Sequence, residues 1–213
     1  MSSWKPYRPT ASSPWNLQRV WTLHRRTAFG ATWNELQRDL QNGPEDSISR
    51  MLEGHVRREG VPSDFHEMKT ILGESAIASQ RPERLAAWWV YQMYFSPDPL
   101  RERMALVWHN HFATSNFKVK NLRYMLSQNE IFRTHALEDF ESLLSATLKH
   151  PAMLKWLDGD ANRLGQPNEN FGRETLELFT LGIGNYTESD VKNASRALTG
   201  WTVKDNQFTY KPD

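Results

Sequence analysis

The sequence predicts an all-α fold, a multi-helix bundle of orthogonal and antiparallel neighbours with a small C-terminal β-hairpin. Three observations predict it. Apolar residues recur at steps of three and four along most of the chain, which places them on one helix face. Cap residues precede these runs and Gly or Pro follows them, the ordinary start and stop signals of helices. Strand character gathers only at the end, where Trp201-Thr202-Val203 and Gln207-Phe208-Thr209-Tyr210 flank Lys204-Asp205-Asn206.

The elements follow in order. Ser13-Pro14 reads as a cap with proline at the first helical position, and Leu17, Val20, Trp21, His24 and Ala28 form a stripe that Gly30 stops. Thr32-Trp33-Asn34-Glu35 has the capping-box pattern, in which hydroxyl and carboxylate each satisfy a free amide. Leu36 and Leu40 follow, Asn42-Gly43 ends that helix, and Pro44 opens a short one closed by Gly54. The stretch from His55 to Gln80, with charged Arg57, Arg58 and Glu59 and the breaker Gly60-Val61-Pro62, is where a flexible connection is expected; Asp64 to Leu72 suits one helix. From Pro82, Leu85, Trp88, Trp89, Met93 and Tyr94 make an aromatic face, and Leu100, Met104, Val107, Trp108 and His111 make the next stripe. Further helices are expected over Asn121 to Ala136, after the Asp139 cap to His150-Pro151, from Pro151 to Leu157, over Asn168 to Leu181, and from the Thr187–Asp190 cap to Gly200.

Composition narrows the function. The chain has 213 residues, 26 Lys+Arg against 25 Asp+Glu, and no Cys. Against about 150 residues per domain, this suggests one helical domain, 14–200, with an extended arm at 1–13. A lone hairpin at 201–213 is marginally stable unless packed, so it is expected to lead into a further C-terminal portion. The absence of Cys excludes a disulfide framework, an Fe–S cluster and a thiol nucleophile. A net charge of +1 argues against nucleic acid as a partner. No apolar run reaches the roughly 20 residues of a membrane span, and the proline-broken N-terminus has no signal-peptide core, so the default location is cytoplasmic. The nine Trp residues at helical spacing read mainly as core. Gly182-Ile183-Gly184 follows a helix, which removes the phosphate-loop readings, and no Gly-x-Ser-x-Gly elbow occurs.

Several stretches are similar to one bacterial family. They are LHRRTAFGAT (23–32), WHNHFATS (108–115), MLSQNEIFRTHAL (125–137), HPAMLKWLD (150–158), NENFGRETLELFTLGIGNYTESDV (168–191) and RALTGW (196–201). The chain resembles the Domain of Unknown Function 1800 family over most of its length from Leu23. The resemblance implies no activity, cofactor or catalytic residue. It does imply a protein about twice as long, with a further helical portion after Gly200-Trp201 that packs on this one.

Two constellations could carry chemistry. On a continuous helix, Asn170, Glu174 and Glu177 fall within about 60° of one another, with Phe171, Leu178 and Phe179 around them. Two sheltered carboxylates repel and can act as acid and base, or hold a divalent metal with an added His109, His111 or His135. His109 and His111, two apart, lie roughly 200° apart on a helix. His111 then shares the face of Met104 and Val107, taken as the core face, and His109 that of Glu102 and Ala105. The same segment also reads as a structural polar network of Asn168, Glu169, Asn170, Arg173 and Arg196. There Asn168 caps, Glu169 complements the helix dipole, Arg173 pairs with Glu177, and Arg133 or Arg196 pairs with Glu174. His24 reads as packing, His150 as a cation at a helix C-terminus, and His66 carries no signal. The expected function is accordingly an interaction or scaffold module with a protein partner. The alternative is a metal-assisted or acid/base enzyme with Glu174 and Glu177 as catalytic groups, and a third reading is a half-site completed by sequence after the hairpin.

Overall fold

The structure, a computed structural model, describes residues 6–54 and 61–211. Trp4, His55 and the Arg57–Gly60 run lie outside the described residues. In order, the elements are α1 (Leu17–Thr27), α2 (Trp33–Glu53), α3 (Phe65–Ser79), α4 (Pro82–Phe95), α5 (Pro99–Phe112), α6 (Asn116–Val119), α7 (Leu122–Thr134), α8 (Phe140–Leu148) and α9 (Pro151–Trp156). A 3-10 turn (Gly159–Ala161), α10 (Glu169–Glu174), a π-helical segment (Thr175–Thr180), α11 (Glu188–Ala197) and strands β1 (Trp201–Lys204) and β2 (Gln207–Tyr210) complete the chain. The fold is all-α with one two-stranded antiparallel hairpin, as the sequence predicts. No helix among the described residues is long and apolar enough to cross a membrane.

Two compact units divide the chain. The first comprises 1–71 and 87–103. The cap of α1 is Asn16, not Ser13, because the Asn16 side chain accepts the Arg19 N–H at 3.1 Å and leaves Pro14 outside the helix. The Thr32/Glu35 capping box starts α2 as expected. Gly43 (φ 85°, ψ 175°) leaves helical geometry just before Pro44, so α2 is two helices joined at a kink, as expected, and Gly54 caps the second in the left-handed region. Trp15 donates its indole N–H to the Asp39 carbonyl at 2.9 Å, holding the chain ahead of α1 against α2. Elsewhere in this unit the indole of buried Trp88 on α4 donates to the Lys69 carbonyl of α3 at 2.9 Å, and Phe65 stacks on Tyr91. Where the sequence predicts a flexible connection between His55 and Gln80, the described residues carry a fifteen-residue helix, α3, which runs past the expected end at Leu72 to Ser79.

The second unit comprises 72–86 and 104–213. Its core is Phe112, Phe132, Leu143, Met153, Leu154, Phe171 and Phe179, with Trp108, Trp156 and Trp201 at its margin. Burying each such apolar side chain contributes about 1.5–3 kcal/mol, which is what draws these short helices together. On α5, Ala105 and Phe112 are fully buried while Val107 is 45% exposed. The core face is therefore the one shared by His109, the reverse of the expectation: α5 is apolar on more than one side, so periodicity alone chose wrongly. The hairpin register pairs Lys204 with Gln207 across Asp205-Asn206, both at positive φ, a two-residue turn that matches strand twist.

Gly172 decides how closely α10 and α11 approach. A Cβ there would lie 2.9 Å from the Ser195 amide nitrogen and 3.1 Å from the Val191 carbonyl, and would also strike the Ser195 hydroxyl. Backbone cannot swing aside as a flexible side chain can. Gly172→Ala is expected to lower the urea unfolding free energy by about 1–3 kcal/mol, although alanine is the better helix former. A variant as stable as the parent would show that the two helices are free to part.

Candidate functional site

A polar assembly in the second unit spans 157–200 and is built around Asn162, which is 1% exposed. Its amide donates to the Ser195 carbonyl at 2.7 Å, and its side-chain oxygen accepts the Asn168 N–H at 2.9 Å and the Thr199 hydroxyl at 3.3 Å. The Asn162 carbonyl takes the Gly200 N–H at 3.1 Å. One buried side chain therefore ties the loop before α10 to the end of α11. Every hydrogen-bonding group of that amide side except one proton is used, which is what burial of a polar group requires.

Asn168 caps α10 by accepting the Asn170 N–H at 3.0 Å and donates to the Asp158 carbonyl at 2.7 Å. Asn170 reaches back to the Leu157 carbonyl at 3.3 Å. Arg173 forms a two-pronged pair with Glu188, both contacts 2.8 Å, and lies 3.7 Å from Glu169. Arg173 thus pairs one turn back and across to α11, not forward to Glu177. The π segment explains the change. From Thr175 each residue advances the helix by a smaller rotation, shown by the Leu181 N–H bonding the Leu176 carbonyl at 2.7 Å, so Glu177 leaves the line expected for a regular helix. The Glu177 carboxylate instead accepts a short hydrogen bond from the Tyr186 hydroxyl. That bond, reinforced by burial, holds the Tyr186 phenol above its ordinary range. The Arg173 guanidinium holds Glu188 below the usual carboxylate range.

Glu174 is half-buried, and its carboxylate has neither hydrogen bond nor ion pair among the described residues. Arg133, one expected partner, instead binds Asn129 at 2.7 Å and Glu130 at 3.0 Å. Arg196, the other, is exposed.

The histidines go to separate partners. His111 places Nε2 3.1 Å from the Phe179 carbonyl, among the rings of Trp108, Phe112 and Phe140. His109 lies edge-on to Phe132, and burial pushes its imidazole below the ordinary range. The His135 Nδ1 faces Glu138 at 2.6 Å. Among the described residues, no three His, Asp or Glu side chains stand together as a metal ion would need. His150 caps the start of α9, its Nδ1 accepting the Ala152 N–H at 3.1 Å, and is not a C-terminal cation. Proline at the next position restarts a helix there, so the residue before it becomes a cap.

Beside the Asn162 assembly lies an open groove of about 700 Å³. Arg163 and Leu164 from the loop before α10 and Asn193, Arg196 and Ala197 from α11 form its walls. A second depression of about 290 Å³ shares Arg163 and includes Asp160, Trp201 and Lys211. Asn162, Arg163 and Tyr186 carry no motif in the sequence; only the close approach of α10 and α11 gives them roles.

No curated protein and no solved structure matches the chain. The model of one family, described as "Protein of unknown function (DUF1800)", matches residues 22–213, and the chain belongs to that family.

Proposed function

We propose that this helical chain works as a binding module, and that the Asn168–Leu181 segment is its structural brace and not a catalytic centre. One observation carries the reading: three of the four charged groups of the segment are committed to each other, to Glu188 of α11 or to Tyr186 just before it. Arg173 is held by Glu188 and Glu169, and Glu177 by Tyr186, which leaves only Glu174 without a partner among the described residues. An acid/base pair needs two carboxylates facing one reacting position, and Glu177 already serves a phenol. The histidines expected to complete a metal site bind a backbone carbonyl, an aromatic edge and a neighbouring glutamate. Buried and half-buried polar networks of this kind fix the packing of helices.

The test joins stability with elemental analysis. Tyr186→Phe removes one hydrogen bond to a charged group and is expected to lower the unfolding free energy by about 1–2 kcal/mol. Glu174→Ala is expected to change stability by less than about 0.5 kcal/mol. Purified protein should hold no stoichiometric divalent metal that Glu174→Ala releases. Tight metal at one equivalent, lost in that variant, would overturn the reading in favour of the metal-assisted enzyme.

A further inference from the structure

We propose that the groove between Arg163 and Arg196 is a binding site for a small organic anion, a phosphate ester or carboxylate with a compact apolar body. The inference deepens the binding-module reading and rests on it.

The argument starts with charge. Arg173, between them in sequence, is clasped by two carboxylates, whereas Arg163 and Arg196 have neither hydrogen bond nor ion pair from their guanidinium groups among the described residues. Both line the same groove, and no carboxylate lines it with them. Two like charges at one opening repel each other and gain nothing structurally from that arrangement. An anion between them reverses the sign of that interaction, and guanidinium groups match the paired oxygens of phosphate and carboxylate. The chain as a whole is nearly neutral, at +1, so the pairing of two arginines here without a carboxylate in the lining does not follow from an overall basic composition.

The frame is preorganised. Arg163 sits in a tight turn in which its own N–H and carbonyl pair with Gln166, and Gly165 takes the positive φ of 81° that the turn requires. Arg196 sits near the C-terminal end of α11. Buried Asn162 adjoins Arg163 in sequence and bonds to the carbonyl of Ser195, the neighbour of Arg196. The two arginines thus hang from the two ends of one buried hydrogen bond. Their backbones are fixed before any ligand arrives, which reduces the entropy lost on binding.

The walls set the rest of the ligand. Leu164 is 76% exposed at the rim, and Pro167 and Ala197 add apolar surface, while Thr199 and Asn193 supply neutral polar groups. A volume of about 700 Å³ suits a small organic molecule. Lys211 in the adjoining depression extends the positive edge, and Asp160 there limits it on that side.

The test uses the 213-residue protein with three probes: inorganic phosphate, phenyl phosphate and benzoate, titrated by calorimetry at low salt. Saturable one-to-one binding of phenyl phosphate or benzoate is expected, tighter than that of inorganic phosphate. Whichever organic probe binds more tightly identifies the anionic group. Arg163→Ala and Arg196→Ala are each expected to weaken it about tenfold, the effect of one charge-assisted contact. Both arginines are exposed, so unchanged circular dichroism and thermal midpoint should accompany the loss. Arg84→Ala, an exposed control elsewhere, is expected to bind as the parent does. No saturable binding at millimolar probe, equal binding of inorganic phosphate, or binding that survives in both variants overturns the proposal. A metal lost in Glu174→Ala would end the binding-module reading without moving these titrations, so the two failures are distinguishable.

Discussion

Replacing Asp39 with alanine is expected to lower the unfolding free energy by about 3–5 kcal/mol, the range for leaving buried charges without their partner. Asp39 is 0% exposed and receives three groups: His24 Nε2 at 2.8 Å, Arg38 Nε at 3.0 Å, and a short contact from Arg50. Burial alone would raise its carboxyl above the ordinary value, but the hydrogen bonds from His24 and Arg38 and the charges of Arg50 and Arg38 outweigh it, and the net shift is downward. The alanine variant isolates the carboxylate. The Asp39 backbone carbonyl still accepts from Trp15 and Ser47, so local helix geometry is retained. Asp39→Asn keeps the volume and one acceptor and is expected to lose less. Because the folded carboxyl is depressed, its contribution is present above the unfolded value of 3.8 and is lost as pH falls through the lower folded one. Urea titration at neutral pH checks the magnitude, and faster hydrogen exchange in α1 and α2 checks the location. A loss under about 1 kcal/mol would show that solvent replaces the carboxylate.

Acidification from pH 7 to pH 4 is expected to remove about 3 kcal/mol through His150 alone. Burial pushes this imidazole from its ordinary 6.5 down to about 4. Geometry points the same way. Nδ1 accepts the Ala152 N–H, so the neutral ring carries its proton on Nε2, facing the Ser127 hydroxyl at 3.0 Å. A second proton on Nδ1 would set donor against donor. The unfolded chain takes up a proton below about 6.5 and the folded one does not until about 4. Stability is therefore full above the unfolded value and falls as pH drops toward the folded one. The Tyr124 ring packs edge-on to His150 and brings no charge to offset the effect. His150→Asn keeps a capping oxygen and removes the titration, so its stability should fall less between pH 7 and pH 4 by about that amount. His109, lowered by burial in the same sense, remains in the variant and sets part of the residual slope. Parallel pH profiles for parent and variant would contradict the assignment.

The capping box at Thr32–Glu35, the caps at Thr187–Asp190 and Asp139, and the break at Gly43 are legible in the sequence, and so is the hairpin loop, although Lys204 joins β1 and leaves the turn to Asp205-Asn206. Each is a bargain among residues within three or four positions, settled by local geometry and backbone satisfaction. The candidate site is legible only as a list of polar residues. Its α-helical line ends where the π segment begins, and the expected Arg173–Glu177 pair gives way to Arg173–Glu188, fifteen residues apart.

By itself the sequence determined the all-α class, most helix ends and the family. Tertiary structure decided which polar groups meet. His24 finds Asp39 fifteen residues on, and Asn162 finds Ser195 thirty-three residues on. The core face of α5 was likewise chosen by Phe132 and Phe179, not by its own period. The physical reason is range. Helix propensity and capping are summed over one turn, whereas a buried polar or charged group must be satisfied by whatever the packed chain brings to it, and no local pattern records that partner.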